Sequence, residues 1–209
     1  LNEFHLPRGR TTDALIAFIV AAAVVQLLPA VRDAAYGYSF SPLLFLSGGW
    51  RAQPMIWLSP AVSQFLLGGI TMAMFNTALM LIVGRFVEKA LGGIGLIAVF
   101  IVGAYGGAIA RTILTPGSMA PTAGIDAGFF ATIGAYLMLY GIPSGISIAR
   151  GYSRPVQILG LALLWAAIQG VFMLVGDFEI SLSLVNPFGG LLVGTLIARP
   201  LLAWRYRKA

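Results

Sequence analysis

Apolar residues fill six long stretches of this chain, and polar residues gather between them. The stretches run from about Ala14 to Val31, Pro60 to Val83, Leu91 to Ala110, Gly124 to Tyr140, Val156 to Gly176 and Pro187 to Trp204. Each is near the ~17–25 residues a helix needs to cross a bilayer core. Thr12 and Asp13 stand where an N-cap would open the first helix, and Ser59-Pro60 reads as an N-cap followed by proline in the first turn of the second. The pattern predicts an all-α integral membrane protein: one domain over residues 1–209 with six transmembrane helices. The first stretch is apolar enough for a signal-peptide core, but its length suits an uncleaved span better. Leu1 in place of an initiator methionine leaves room for residues upstream.

Composition narrows the picture further. The 209 residues are 59% hydrophobic and 10% charged, whereas a soluble domain carries about a quarter charged residues. There is no cysteine and the only histidine is His5, so a disulfide scaffold, a thiolate metal site and a histidine metal site are all excluded. No metal or cofactor is expected. The net charge of +6 could suit nucleic acid, but no basic stripe interleaved with aromatics exists to form its footprint.

The cations instead serve as topology determinants. With the N-terminus inside, Arg8, Arg10, Arg85, Lys89, Arg150, Arg154, Arg199, Arg205, Arg207 and Lys208 fall in the cytoplasm. Only Arg32, Arg51 and Arg111 of the thirteen cations then lie outside. This bias predicts both termini in the cytoplasm, across a bacterial inner membrane. The segment from Arg32 to Leu58 is rich in aromatics and interrupted by Pro42, Gly48-Gly49 and Pro54. It reads as a segment lying in the outer interface, or as a loop packed on its own helices.

Several motifs appear in order from the segment before the second stretch to the sixth stretch. They are Trp50-Arg51, then Phe75-Asn76, then Gly84-Arg85-Phe86-Val87-Glu88 continuing to Gly92. Gly124-Ile125-Asp126-Ala127-Gly128 with Gly134-Ala135-Tyr136 follows, and last Gly190-Leu191-Leu192-Val193-Gly194. This ordered set, from Trp50 to Gly194, resembles the rhomboid superfamily of intramembrane proteases. The resemblance implies a rhomboid-like bundle of six helices with an interfacial first outer loop.

The resemblance also implies where chemistry should sit, and there the chain departs. Rhomboids cleave peptides with a serine on the fourth helix and a histidine on the sixth. Those positions hold Asp126 and Pro187. The second-helix histidine that helps hold the oxyanion is Met72, and the earlier histidine of that motif is Leu67. Only Asn76 is retained. A serine mechanism needs a nucleophile and a base within hydrogen-bond reach, and proline has no ionisable group. The expectation is a pseudoprotease, not an enzyme.

Asp126 can be read in several ways. A carboxylate at the start of the fourth helix can cap backbone N–H groups, or pair with Arg111 at the outer end of the third. A proton or solute role is the functional alternative. Aspartyl-protease chemistry would need a second carboxylate in the membrane, and none lies in any stretch. Asn186-Pro187 would start the sixth helix as N-cap and first-turn proline. Asn76 is expected to hydrogen-bond between helices, and Gly103…Gly107 and Gly190…Gly194 to pack internally.

Two non-enzymatic classes follow. One is an accessory or scaffold subunit binding transmembrane helices of a larger, stoichiometric membrane complex. The other is handling of single client proteins, as in quality control or trafficking. The short tail Arg205–Ala209 favours the scaffold. Internal repeats or several intramembrane charges would mark a transporter, and neither is found. The resemblance implies a lateral opening between the second and fifth helices. Gly68, Gly69, Ala166 and Ala167, with Trp50 and Trp57 of the outer loop, are therefore the expected partner-binding residues, surrounded by lipid.

Overall fold

The computed structural model describes residues 6–47, 54–141, 151–163 and 181–207, apart from the side chains of Pro54, Met72 and residues 181–184. Its regular structure is helical throughout these residues. In chain order the helices are α1 (Arg10–Val25), α2 (Pro29–Tyr36) and α3 (Pro42–Leu46). A 3-10 turn, Pro54–Leu58, then leads into α4 (Ser59–Ser63). The long α5 (Ile70–Leu114), α6 (Asp126–Tyr140), α7 (154–163) and α8 (Ser181–Tyr206) follow.

By length and composition, the described residues hold two helices able to cross a membrane, Ala73–Leu114 and Val185–Tyr206. They hold three if α1 and α2, which meet at 114°, form one span. The six-span expectation is thus resolved only in part. Helix α6 has 15 residues, about 22 Å at 1.5 Å per residue, short of a bilayer core. The remainder of the fifth expected span, beyond residue 163, lies outside the described residues.

The first expected span stops early, at Val25. There Gln26 turns its side-chain amide onto the Ala22 carbonyl at 3.0 Å and the Phe65 carbonyl at 2.7 Å. Pro29 then opens a new helix in a new direction. The start differs as well: Gly9 is the N-cap and makes no side-chain cap bond. Asp13 instead pairs with Arg85 at 2.8 Å. The N-terminal N–H groups of Thr11 and Thr12 donate to Glu88, at 3.0 and 2.7 Å, and the Thr12 hydroxyl also donates to it at 2.7 Å.

This contact accounts for the Gly84…Glu88…Gly92 motif. A side chain at position 84 would meet the Thr12 methyl at 2.9 Å, so glycine there lets α1 approach. Glu88 caps the incoming helix, placing a carboxylate at its positive end. Gly92 has φ 78 and ψ 170 and breaks α5 into two arms, 70–91 and 93–114. Only glycine takes that backbone region at little cost.

The second expected span begins at Ile70 rather than Pro60. Residues 64–69 are not helical, and adjacent Gly68 and Gly69 cost about 1 kcal/mol each within a helix. The freed backbone of Leu67 is held from outside: its N–H donates to Gln26 Oε1 at 3.0 Å, and its carbonyl accepts from the Tyr36 hydroxyl at 2.8 Å. Leu67 thus belongs to the outer segment, not to the helix.

The sixth helix also starts earlier than expected. Pro187 lies inside α8, so Asn186-Pro187 does not open it. Proline in an interior turn removes a helix hydrogen bond, and close packing holds the helix there. Along α6, Ala127 and Ala131 meet glycines from both sides. A side chain at Gly103 would strike Ala131, and one at Gly107 would come within 2.6 Å of the Ala127 side chain. From α8, Gly190 lies against the Ala127 carbonyl and Gly194 against that of Ala131. Helix α6 is wedged between the second arm of α5 and α8.

One end of the bundle collects the start of α1, the break at Gly92 and the ends of α6 and α8. Arg205 donates to the Lys89 carbonyl at 3.0 Å, Tyr140 to the Phe86 carbonyl at 3.0 Å and Arg154 to the Met138 carbonyl at 2.9 Å. The opposite end carries Arg111, the 115–125 connector and residues 37–47 and 54–63.

Candidate functional site

At this second end, three pieces of chain converge on the first turn of α6. The amide nitrogen of Asn76, in the first arm of α5, donates to Oδ1 of Asp126 at 2.7 Å. Asn76 is 4% exposed, and Asp126 is half-buried. Asn76 thus bonds between helices, onto the residue that begins α6.

The expected roles of Asp126 are corrected here. It is the first residue of α6 and makes no side-chain cap bond; Ile125 is the N-cap. The capping acceptor comes from elsewhere: Gln64 Oε1 takes the Gly128 N–H at 2.9 Å. Gln64 is 2% exposed. Arg111 does not pair with Asp126 either. It donates to the Thr122 hydroxyl, to the Ala120 carbonyl at 2.8 Å and to the Ser118 hydroxyl at 3.5 Å. It thereby ties down the connector between α5 and α6. Its Nε is buried without a partner among the described residues.

The wall around the site is built from the outer segment. Gly124, at φ 113, donates its N–H to the Ser63 carbonyl at 3.0 Å. The Ser63 hydroxyl accepts the Phe40 N–H at 2.8 Å, and the Phe40 carbonyl accepts that of Thr122 at 2.9 Å. Sequence reasoning missed Ser63 and Gln64, although a glutamine inside an apolar stretch is the kind of signal that marks a buried hydrogen bond.

Pro187 is buried, and so is its neighbour Asn186, whose Oδ1 has no hydrogen-bond partner among the described residues. A side chain at Gly107 would meet both Ala127 and the Asn186 carbonyl. The segments holding Asp126 and Pro187 therefore reach the second arm of α5 at one level. The Met72 side chain, Trp50, Ala166 and Ala167 lie outside the described residues.

The remaining expected partner residues divide. A side chain at Gly68 would come within 2.6 Å of the Ala123 carbonyl, so the connector packs closely on one side of this exposed residue. Gly69 has open space there. Trp57 is 48% exposed, rests edge-on against Phe45 at 5.1 Å and accepts the Tyr105 hydroxyl on its carbonyl at 2.8 Å. Among the described residues no three of His, Cys, Asp or Glu come together as a metal site would need.

The Rhomboid domain matches residues 54–204 of the chain. The chain belongs to the rhomboid family. No curated protein matches it. Family membership and the apolar helices make it an integral membrane protein. In this rhomboid chain, the Asn76–Asp126 pair offers an amide donor and a carboxylate acceptor. Neither is a hydroxyl or thiol nucleophile.

Proposed function

We propose that this rhomboid is catalytically inactive and serves as an accessory or scaffold subunit holding transmembrane helices of a larger membrane complex. One observation carries the reading: the Asn76 amide, which the family uses to steady an oxyanion, is committed at 2.7 Å to the Asp126 carboxylate. A carboxylate in that place repels a developing oxyanion and supplies no activated hydroxyl. Pro187, at the place of the family's histidine, cannot act as a base.

The retained bundle, with its open position at Gly69 and the exposed face of Trp57, is then a surface for other integral membrane proteins within lipid. We place the protein in a bacterial inner membrane as a six-helix bundle. The end carrying Arg85, Lys89, Arg154 and Arg205 would face the cytoplasm, in keeping with the distribution of positive charge. Handling of single client proteins is the neighbouring reading.

Two measurements test this. Fluorophosphonate probes should not label the protein, and cleavage of a model transmembrane substrate, abolished by Asp126→Ala, would overturn the inactive reading. Purification from native membranes in mild detergent should bring a stoichiometric partner. A partner-free monomer would transfer the reading to client handling.

A further inference from the structure

The Asp126 carboxylate is only partly satisfied by its own chain. An ionised carboxylate can accept about four hydrogen bonds. Among the described residues, Asn76 is its hydrogen-bond partner, and it occupies Oδ1. Among the described residues no cation is paired with it, and Arg111, at the same end of the bundle, is turned into the connector.

The site also borders an exposed stretch of the chain. Asp126 is half-buried, whereas the next three residues, Ala127, Gly128 and Phe129, are buried. Gly68 packs against Ala123, three residues before Asp126. The stretch from Gly68 to Thr71 that flanks this contact is exposed, with open space at Gly69. Small residues let a second helix approach closely. Carboxylates at membrane depth pair with cations or backbone groups rather than stand alone.

We propose that Asp126 is the docking point for a lysine or arginine carried by the transmembrane helix of a partner protein, which enters beside Gly69. The proposal rests on the scaffold reading and deepens it by naming the chemistry of the partner. A guanidinium or ammonium matches the unused acceptor capacity of the carboxylate through charge-assisted hydrogen bonds. A neutral helix would leave that charge uncompensated.

The test uses the full chain in nanodiscs with synthetic leucine–alanine transmembrane helices as probes, read by energy transfer. Each probe carries one guest residue in its outer third: lysine, arginine, glutamine or leucine. Lysine and arginine probes should bind about tenfold more tightly than leucine or glutamine probes. Asp126→Asn, close in size and still able to accept from Asn76, should erase the preference. Asp126→Glu should keep it, and this rescue separates loss of charge from loss of fold.

Equal binding of all four probes overturns the proposal, as does glutamine matching lysine, which would signify hydrogen bonding to a neutral acid. If Arg51→Gln creates a preference that the wild type lacks, the cation is the chain's own and the proposal fails. A native partner that co-purifies equally with wild type and Asp126→Asn overturns charge docking and leaves the scaffold reading standing. Absence of both probe binding and a native partner ends both.

Discussion

Glu88 and Thr12, 76 residues apart, are joined by two hydrogen bonds of 2.7 Å, one from the Thr12 N–H and one from its hydroxyl. With the Thr11 N–H on the other carboxylate oxygen, a side chain of α5 closes the N-terminus of α1. The glutamate of the motif is thereby a helix cap supplied in three dimensions. The anion also meets the positive end of the helix.

Glu88→Ala should therefore loosen the docking of α1. Loss of a cap costs about 1–2 kcal/mol, which for a chain of this size lowers the thermal midpoint by roughly 2–8 °C. Glu88→Gln keeps acceptor capacity but loses the charge, and should fall between alanine and wild type. Differential scanning fluorimetry in detergent checks the order. A Glu88→Ala protein as stable as wild type would show that α1 is held by its apolar contacts alone.

The glycines facing α6 make a second, sharper test. Gly190→Leu and Gly103→Leu place side chains against Ala127 and Ala131, where an added Cβ alone already clashes with the Ala127 carbonyl and the Ala131 side chain. Overpacking typically costs about 1–3 kcal/mol, and backbone cannot swing aside as a side chain can. These two variants should give little monodisperse protein. Gly69→Leu enters open space and should express near wild-type level, so size-exclusion profiles separate the two groups.

Membrane orientation gives a third. The native chain has no cysteine, so a single one introduced at Arg207 reports its side of the membrane without background. It should react with an impermeant maleimide only after the cytoplasmic face is opened. Labelling from the outer side of intact cells would reverse the proposed orientation.

What could be read from sequence, and what could not, follows from the range of the interactions. Apolar stretches and Asn76 signal themselves locally, and the structure has helices in the described parts of those stretches and a cross-helix bond at Asn76. The capping of Thr12 by Glu88 and of Gly128 by Gln64 depends on partners 76 and 64 residues away, which no local spacing encodes. Thr12 and Asp13 accordingly look like their own caps.

Likewise, Pro60 to Leu67 is apolar enough to pass for the start of a span. What prevents a continuous helix is the Gly68-Gly69 pair and the bonds that Leu67 makes to Gln26 and Tyr36. Pro187 misleads for the opposite reason. A proline after asparagine reads as a helix start, yet glycine contacts on Ala127 and Ala131 hold α8 together through it. Asp126 sits where capping was expected, but its carboxylate points to Asn76 while Gln64 does the capping.

The seam of glycine and alanine along α6 has a further consequence, in conformational entropy. Glycine and alanine have no side-chain rotamers to lose on burial, so ordering this seam carries almost none of the roughly 0.5–2 kcal/mol that longer side chains forfeit. Equally, nothing in the seam can hop between rotamers to absorb a push from outside. Helices α5, α6 and α8 consequently move as one body where they touch. By contrast, α1 and the bend after Gln26 are tied to the bundle in part by hydrogen bonds to Glu88 and to the Phe65 carbonyl, which can exchange.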